Sequence, residues 1–333
     1  MVLLVQKFAK LYTKLENHHH HHTHTHKDRD HHQSDELSAS LQAFRSEVST
    51  FIGQLALDLK PGSEILSLSW IEKCFGLLSI TNKAFAKLVV DIDYPMSIWE
   101  VDSIERYLSY SLCLVELFNS ISSSLSHLGQ ARLSLSHGLT LLENSPSLAT
   151  RHLKAIQPGC FSNNFGKEFY TEDDKASIFS GKERVVDEAV KEMKSIGFWV
   201  CGILLSGLCS DGKPYMELRK MAGGFDGSSI LTLDSKICEE LMEKTPMLKE
   251  VKEINDAVAD LLEASDEVKH DAAKELQTKL HVFEKLSDVV KTGVDEMFSK
   301  VMTQRSDLID CFRQKETTLK IRCSISHVKM NKP

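Results

Sequence analysis

The sequence predicts an all-α protein, an elongated antiparallel multi-helix bundle with a disordered, His-rich N-terminal arm and a basic C-terminal tail. Apolar residues recur at steps of three and four over long stretches, which is typical of one face of a helix. The chain has only 7 prolines among 333 residues, so few points interrupt such helices. Its 42% hydrophobic and 26% charged residues are ordinary for a globular protein.

The first 16 residues have the pattern of a short amphipathic helix, with Val2, Val5, Phe8 and Tyr12 on one side. The apolar area is small, so docking on the core or disorder is favoured over contact with a membrane. The first 17 residues contain no Ser or Arg, so the sequence does not support a plastid transit peptide. Import into a plastid stays an alternative.

Nine histidines follow within residues 18–32. They are His18, His19, His20, His21, His22, His24, His26, His31 and His32. Clustered imidazoles bind Zn, Ni or Cu ions, so one interpretation is a metal-buffering or pH-responsive arm. The spacing fits no fixed ligand set, and a low-complexity polar linker is the favoured interpretation.

A first long helix is predicted from residue 34 until Pro61-Gly62. Its stripe consists of Leu37, Leu41, Phe44, Val48, Phe51 and Leu55. Two further long helices are predicted within residues 65–142 as an antiparallel pair, because their connection at residues 91–99 is short. Pro95 is expected to end the first of them, while Ser97 and Glu100 form a capping box that starts the second.

Beyond a short helix that begins at Ser145-Pro146, residues 157–180 have the composition of a polar linker. The most apolar run, residues 196–208, is too short for a typical membrane span and favours a buried central helix, with membrane insertion as the alternative. Gly202 and Ser206 in this run permit close helix packing. The glycine-rich residues 209–229 fit no phosphate-binding pattern and are predicted to be a loop.

Helices are predicted again at 230–244 and from Pro246. A last long, coiled-coil-like stripe runs from Leu276 to Leu308; pairing with these helices is favoured, and an intermolecular coiled coil is the alternative. From Arg313 to Pro333 the sequence is basic. The predicted organisation is therefore an arm at 1–33, a helical bundle at 34–156, a linker at 157–180, a second helical region packing on the first at 181–312, and a basic tail at 313–333.

The net charge, the cysteine pattern and the absence of catalytic motifs limit the classes of function that the sequence favours. The net charge of −7 does not favour nucleic-acid binding. Eight scattered cysteines form no C-x-x-C pair and are predicted to be reduced, as in the cytosol. Nucleophile-elbow, H-E-x-x-H, zinc-finger, P-loop and kinase patterns are absent from the sequence. We therefore predict no catalytic, cofactor-binding or metal-binding residues, no cofactor, and no enzymatic activity.

Isolated titratable residues have ordinary interpretations. The histidines beyond the arm are predicted to lie on helix surfaces: His127, His137, His152, His270 and His281. Asp91 and Asp93 are predicted to serve the end of a helix and the loop after it.

Three segments resemble the plant BYPASS family. They are Glu64-Ile65-Leu66-Ser67-Leu68-Ser69-Trp70, then Asp91-Ile92-Asp93-Tyr94-Pro95-Met96-Ser97-Ile98-Trp99-Glu100, then Leu128-Gly129-Gln130-Ala131-Arg132. The resemblance is clear over about residues 34–145 and weaker from 180 to 310. The His-rich arm and residues 157–180 depart from the family pattern.

The resemblance implies a non-enzymatic developmental regulator that restrains a root-derived mobile signal and supports normal root and shoot growth. A related branch, the ROH-like proteins, implies an alternative function as a membrane-associated adaptor that binds exocyst or secretory components. Protein partners, exocyst subunits among them, and contact with a membrane are the expected interactions. The expected location is the cytoplasm, with membrane association as the alternative; the sequence predicts no particular oligomeric state.

Overall fold

The computed structural model describes residues 28–58, 66–157, 159, 181–225, 229–243 and 246–330, and in these ranges it contains helices and no strand. The helices are α1 (Asp28–Asp58), α2 (Leu68–Asp91), α3 (Val101–Leu141), α4 (Pro146–His152), α5 (Gly181–Cys209), α6 (Lys213–Met221), α7 (Leu231–Glu243), α8 (Lys249–Glu263) and α9 (Lys269–Met330). A 3-10 turn, Met96–Ile98, lies between α2 and α3. The all-α prediction is confirmed.

The centre of the molecule is a bundle of α2, α3, α5 and α9. Both α5 and α9 pack against both α2 and α3. The α2 and α3 helices meet across the bundle axis through aromatic side chains, with ring centroids 6.5 Å apart for Phe75 and Phe118 and 6.1 Å apart for Phe85 and Tyr107. These pairs run in opposite directions along the two helices, so the predicted antiparallel orientation is confirmed.

The bundle also contains parallel neighbours. The α9 helix runs antiparallel to α3, because Tyr107 bonds to Gln304 at one end and Arg132 pairs with Glu284 at the other. Since α2 is antiparallel to α3, α2 and α9 run in the same direction side by side.

The first helix packs outside this centre, against α2 and α5. The predicted stripe faces inward: Leu41, Phe44, Val48 and Leu55 are buried. On its flank Arg45 Nη2 donates to Glu188 Oε2 at 3.0 Å. The helix begins at Asp28, six residues before the predicted start at residue 34. The His-rich residues 18–26 lie outside the described residues.

Residues 196–208 lie at the centre of α5, and every one of them is buried. Among the described helices α5 is the one long and apolar enough to cross a membrane, yet 94% of its apolar window is covered by the rest of the protein. The α6 helix packs closely at Gly202, where an added Cβ would lie 3.2 Å from Tyr215 Cα. The Ser206 hydroxyl accepts from the Tyr215 backbone N–H at 3.1 Å. This favours the predicted buried central helix.

The last helix is longer than predicted. Its stripe from Leu276 to Leu308 is buried and packs against α8, as predicted, and also against α2 and α3. The backbone then continues as helix through the predicted basic tail as far as Met330. Most of the predicted linker at 157–180 lies outside the described residues, while Ile156 just before it is held to α8 by both amide atoms of Asn255.

Candidate interaction site

Residues 91–100 form the corner between α2 and α3. The α2 helix ends at Asp91, before Pro95. Asp93 has a φ of 48°, in the left-handed region that Asp tolerates at helix ends. The Tyr94 N–H donates to Val89 O at 3.1 Å and the Asp93 N–H donates to Val90 O at 3.0 Å. This is the Schellman pattern of a helix C-terminus. The expectation that Pro95 ends the helix is therefore refined: the left-handed Asp93 ends it.

The predicted capping box at Ser97 and Glu100 is wrong. Ser97 lies inside the 3-10 turn, and Glu100 itself is the N-cap residue of α3, with no capping bond from its side chain. The turn displaces the helix start by three residues, so the Ser97 hydroxyl is not placed to cap the first turn of α3.

The first turn of α5 clamps the corner instead. Glu183 Oε1 accepts from the Tyr94 hydroxyl at 3.0 Å and from the Glu100 N–H at 3.2 Å, while Lys182 Nζ donates to Asp93 O at 2.9 Å. Burial, with the Glu183 hydrogen bond as a second cause, raises the pKa of Tyr94 well above its usual value.

Trp99 packs beneath the corner. It is 1% exposed, and its Nε1 donates to Tyr94 O at 3.0 Å. Its ring meets Phe85 and Tyr107 edge-on at 6.1 and 5.9 Å. The corner is therefore a structural joint that ties α2, α3 and α5 together.

Buried acidic side chains make further ties of the same kind. Asp234 is fully buried and accepts from Arg219 Nε at 3.0 Å and from the Tyr215 hydroxyl. Both carboxylate oxygens of Glu250 lie 3.1 Å from the Leu68 N–H at the start of α2. The partners are distant in sequence, so no local motif predicts these hydrogen bonds.

The buried cysteines behave as small apolar residues. Cys74, Cys113 and Cys201 are each at most 4% exposed. Burial raises the pKa of all three thiols, that of Cys113 to about 11. A thiol that is not ionised near neutral pH is a poor nucleophile and a poor metal ligand, so these positions are packing positions.

The histidines form no metal centre in the described part of the chain, where groups of three or more ligating side chains do not occur. His137 and His152 contact each other with ring centroids 4.8 Å apart, and Ser134 Oγ lies 3.2 Å from His152 Nδ1. His281 lies 3.9 Å from Glu284 on the surface of α9. Asp91 and Asp93 are exposed at the helix end, as predicted.

Two open grooves flank the middle of α9. The acidic groove lies between α2 and α9, has a volume of about 500 Å³ and carries Glu72, Asp288 and Glu296. The motif groove lies between α3 and α9, has a volume of about 260 Å³ and is lined by Gly129, Gln130 and Arg132 of the third resembling segment. Asp288 belongs to both grooves.

The motif groove combines apolar and charged groups at a helix contact. Arg132 Nη2 lies 2.9 Å from Glu284 Oε1 and holds α3 to α9 beside the groove. Leu133 is 58% exposed at its rim, and an added Cβ at Gly129 would have no atom within 4 Å. Leu128, by contrast, is buried beneath. The segment therefore anchors Leu128 in the core and leaves Gly129 and Gln130 at the open groove.

Comparison with known proteins gives three relatives. The proteins named UPF0496 protein 4 from Oryza sativa subsp. japonica and subsp. indica are each 24% identical over 297 residues, which cover 81% of this chain and 63% of the rice proteins. Protein BPS1, chloroplastic, from Arabidopsis thaliana is 34% identical over 114 residues, which cover 34% of this chain and 32% of that protein.

The chain thus spans about 63% of the length of its rice relatives. Neither a family model nor a solved structure matches it. The matches nevertheless agree with the three motif segments in pointing to one group of plant proteins. The resemblance is confirmed, and the chain is related to the BYPASS proteins of plants.

Proposed function

We propose that the protein is a non-enzymatic interaction protein of plant development that restrains a root-derived mobile signal and so supports normal root and shoot growth. The similarity to BPS1 and to the rice proteins supports this class of function. The observation that supports the interaction role is the motif groove, because Gly129, Gln130 and Arg132 of the third resembling segment line an open surface.

The motif groove suits a protein partner. Its exposed Leu133 supplies apolar contact area, and Lys291 supplies a cationic group on a lining that also carries Asp288 and the Arg132–Glu284 ion pair. Interfaces are enriched in Arg and concentrate their affinity on a few apolar anchors. A partner side chain that enters above Gly129 would meet the open space that the missing Cβ leaves.

The test fills the groove without harming the fold. Gly129→Leu places a side chain in open space on α3, and a better helix former at an open helical position raises stability by up to ~1 kcal/mol. Gly53→Leu is the matched control, because Gly53 is also an exposed helical glycine with nothing within 4 Å of an added Cβ. Both variants should unfold at or above the wild-type denaturant midpoint.

The readout is growth. Plants that lack the protein and its relatives should recover normal roots and shoots with wild type or Gly53→Leu, and stay arrested with Gly129→Leu. Affinity purification from roots should then lose specific partners in the Gly129→Leu sample alone. Full rescue of growth by a folded Gly129→Leu protein would show that the motif groove is not needed for the function. Normal growth of the plants without any transgene would contradict the developmental role itself.

The alternative proposal is a membrane-associated adaptor that binds exocyst or secretory components. The continuation of α9 favours it, because Arg313, Lys315, Lys320, Arg322 and Lys329 against the single Glu316 lie on a helix that runs to Met330. A basic helix can bind an anionic lipid surface. Replacing the five basic residues by Gln should abolish binding to phosphatidylserine vesicles and co-purification of exocyst subunits; unchanged binding of both would rule the adaptor out.

A further inference from the structure

The acidic groove is an apolar slot between two parallel helices. Phe75 on α2 and Met297 on α9 are each 6% exposed and form its floor together with the buried Val290. An added Cβ at Gly293 would have no atom within 4 Å, so the groove is open along α9 at that point. Val289 on the rim is 44% exposed. A slot of this shape accepts the apolar stripe of a helix.

The charged side chains that line this slot are all acidic. Glu72 stands on α2, and Asp288 and Glu296 stand on α9 about two turns apart, roughly 12 Å along the helix axis. Within the described ranges none of the three carboxylates takes part in an ion pair, and all three residues are exposed. An occupant with Lys or Arg beside an apolar stripe would complement the slot in both respects.

We propose that residues 1–17 of this chain dock in the acidic groove as an amphipathic helix. These residues lie outside the described ones, and their sequence carries the required pattern. Beside the side with Val2, Val5, Phe8 and Tyr12, a neighbouring stripe is formed by Leu4, Phe8, Leu11 and Leu15, which follow steps of four, three and four. Lys7, Lys10 and Lys14 form a second stripe on the adjacent flank. The segment therefore combines an apolar stripe with cations, and this is the complement of an apolar slot with acidic walls.

The tether permits this docking. The α1 helix begins at Asp28 and passes the groove at Phe51, whose ring would lie 3.3 Å from a Cβ added at Gly76 on the groove wall. The path back along α1 is about 35 Å long. Residues 18–27 span up to about 35 Å when extended. Because docking is intramolecular, the effective concentration is on the order of millimolar, and a weak site is sufficient.

Docking would hold residues 1–17 against α2 and α9 and cover the apolar floor of the acidic groove. It does not depend on the developmental function proposed above, because it is measured on the purified protein and because Gly293, which lines the acidic groove and not the motif groove, tests it separately. Growth assays and exchange measurements can therefore fail independently of each other.

The experiment is hydrogen–deuterium exchange on the full chain, with wild type and two charge reversals. One reverses the groove (Glu72→Lys, Asp288→Lys and Glu296→Lys), and the other reverses the segment (Lys7→Glu, Lys10→Glu and Lys14→Glu). We expect amides of residues 4–15 to be protected at least ~10-fold in wild type, to lose that protection in either reversal, and to regain it when both are combined. Gly293→Leu should also remove the protection, while Gly53→Leu should keep it.

Several outcomes would overturn the proposal. Free exchange of residues 4–15 in wild type means that they do not dock, and protection that survives the groove reversal or Gly293→Leu places them elsewhere. Protection that grows with protein concentration would assign the groove to a second copy. Protection that requires phosphatidylserine vesicles would assign the segment to a membrane. Recovery in the combined variant is the result that only direct pairing of the two charge sets produces.

Discussion

Glu183 Oε1 accepts a hydrogen bond from the Tyr94 hydroxyl at 3.0 Å, although 89 residues separate the two in the chain. The same oxygen accepts the Glu100 N–H at the start of α3. One carboxylate therefore closes the corner from the outside and supplies the acceptor that the sequence assigned to Ser97. The corner is stabilised by tertiary structure rather than by its own capping box.

Glu183→Ala should lower the free energy of unfolding by about 1–3 kcal/mol, because the part-buried Tyr94 hydroxyl and the Glu100 N–H lose their charged acceptor. Ser97→Ala should change it by less than about 0.5 kcal/mol, since its hydroxyl caps nothing. Urea unfolding of both variants is the measurement. A larger loss for Ser97→Ala than for Glu183→Ala would contradict the observed corner.

Glu250 should make stability depend on pH. Burial is the main cause that raises its pKa in the folded protein above the ordinary value of 4.5. For a raised pKa, the stabilisation is full below pH 4.5 and is lost as pH rises through the folded value. Glu250→Gln removes this titration, so wild type should become less stable relative to the variant as pH rises from 4 towards 7.

Urea unfolding across that pH range checks this, with Glu250→Ala as the second variant. Alanine leaves the buried Leu68 N–H without an acceptor and should cost about 1–3 kcal/mol even at pH 4. A difference between wild type and Glu250→Gln that stays constant with pH would show that this carboxyl does not titrate in the range.

Glycine-to-alanine substitutions should have opposite effects at two helical positions. At Gly202 the new Cβ meets the α6 backbone at 3.2 Å, so Gly202→Ala should destabilise the protein by about 1–3 kcal/mol. At Gly53 nothing lies within 4 Å, and Gly53→Ala should stabilise it by up to ~1 kcal/mol. Thermal unfolding should therefore shift in opposite directions. A neutral Gly202→Ala would mean that α6 does not pack there.

Asp234→Ala should be among the most damaging single changes. It leaves the Arg219 guanidinium and the buried Tyr215 hydroxyl without their shared acceptor, at a cost of about 2–4 kcal/mol. Tyr215→Phe removes only one donor and should cost about 1 kcal/mol. Chemical denaturation of both variants and of the double variant tests this. Fully additive losses would show that the three side chains do not act together.

Much of the fold follows from the apolar stripes. The stripe of α2, which runs from Ile71 to Val89, is buried as its spacing predicts, and so are the interior residues of α1, α3, α5 and α9. Burial of one face is what helix periodicity reports, so these helices could be found without tertiary information.

The predicted loop at 209–229 is wrong in its middle, where the α6 helix lies, and the other details that the sequence misses involve partners distant along the chain. A capping box is a local signal, and it failed at Ser97 because Glu183 and the 3-10 turn reorganise the corner. The Glu250 carboxylate accepts a hydrogen bond from the Leu68 N–H across 182 residues, and the sequence near either residue does not predict this contact. The two grooves beside α9 cannot be predicted from the sequence either, because each depends on which helices become neighbours. The third family segment was recognisable, but not the fact that it lines a groove.

The diagonal placement of α2 and α3 has a consequence for synthesis on the ribosome. These two helices are consecutive, yet the spaces between them are filled by α5 and by α9, which begins only at Lys269. A nascent chain that has made both helices cannot close its core and must keep their apolar faces exposed until the distant helix emerges. Its folding is therefore a late event that depends on long-range contacts, and a chain that stops before Lys269 should be held by chaperones rather than fold as a smaller domain.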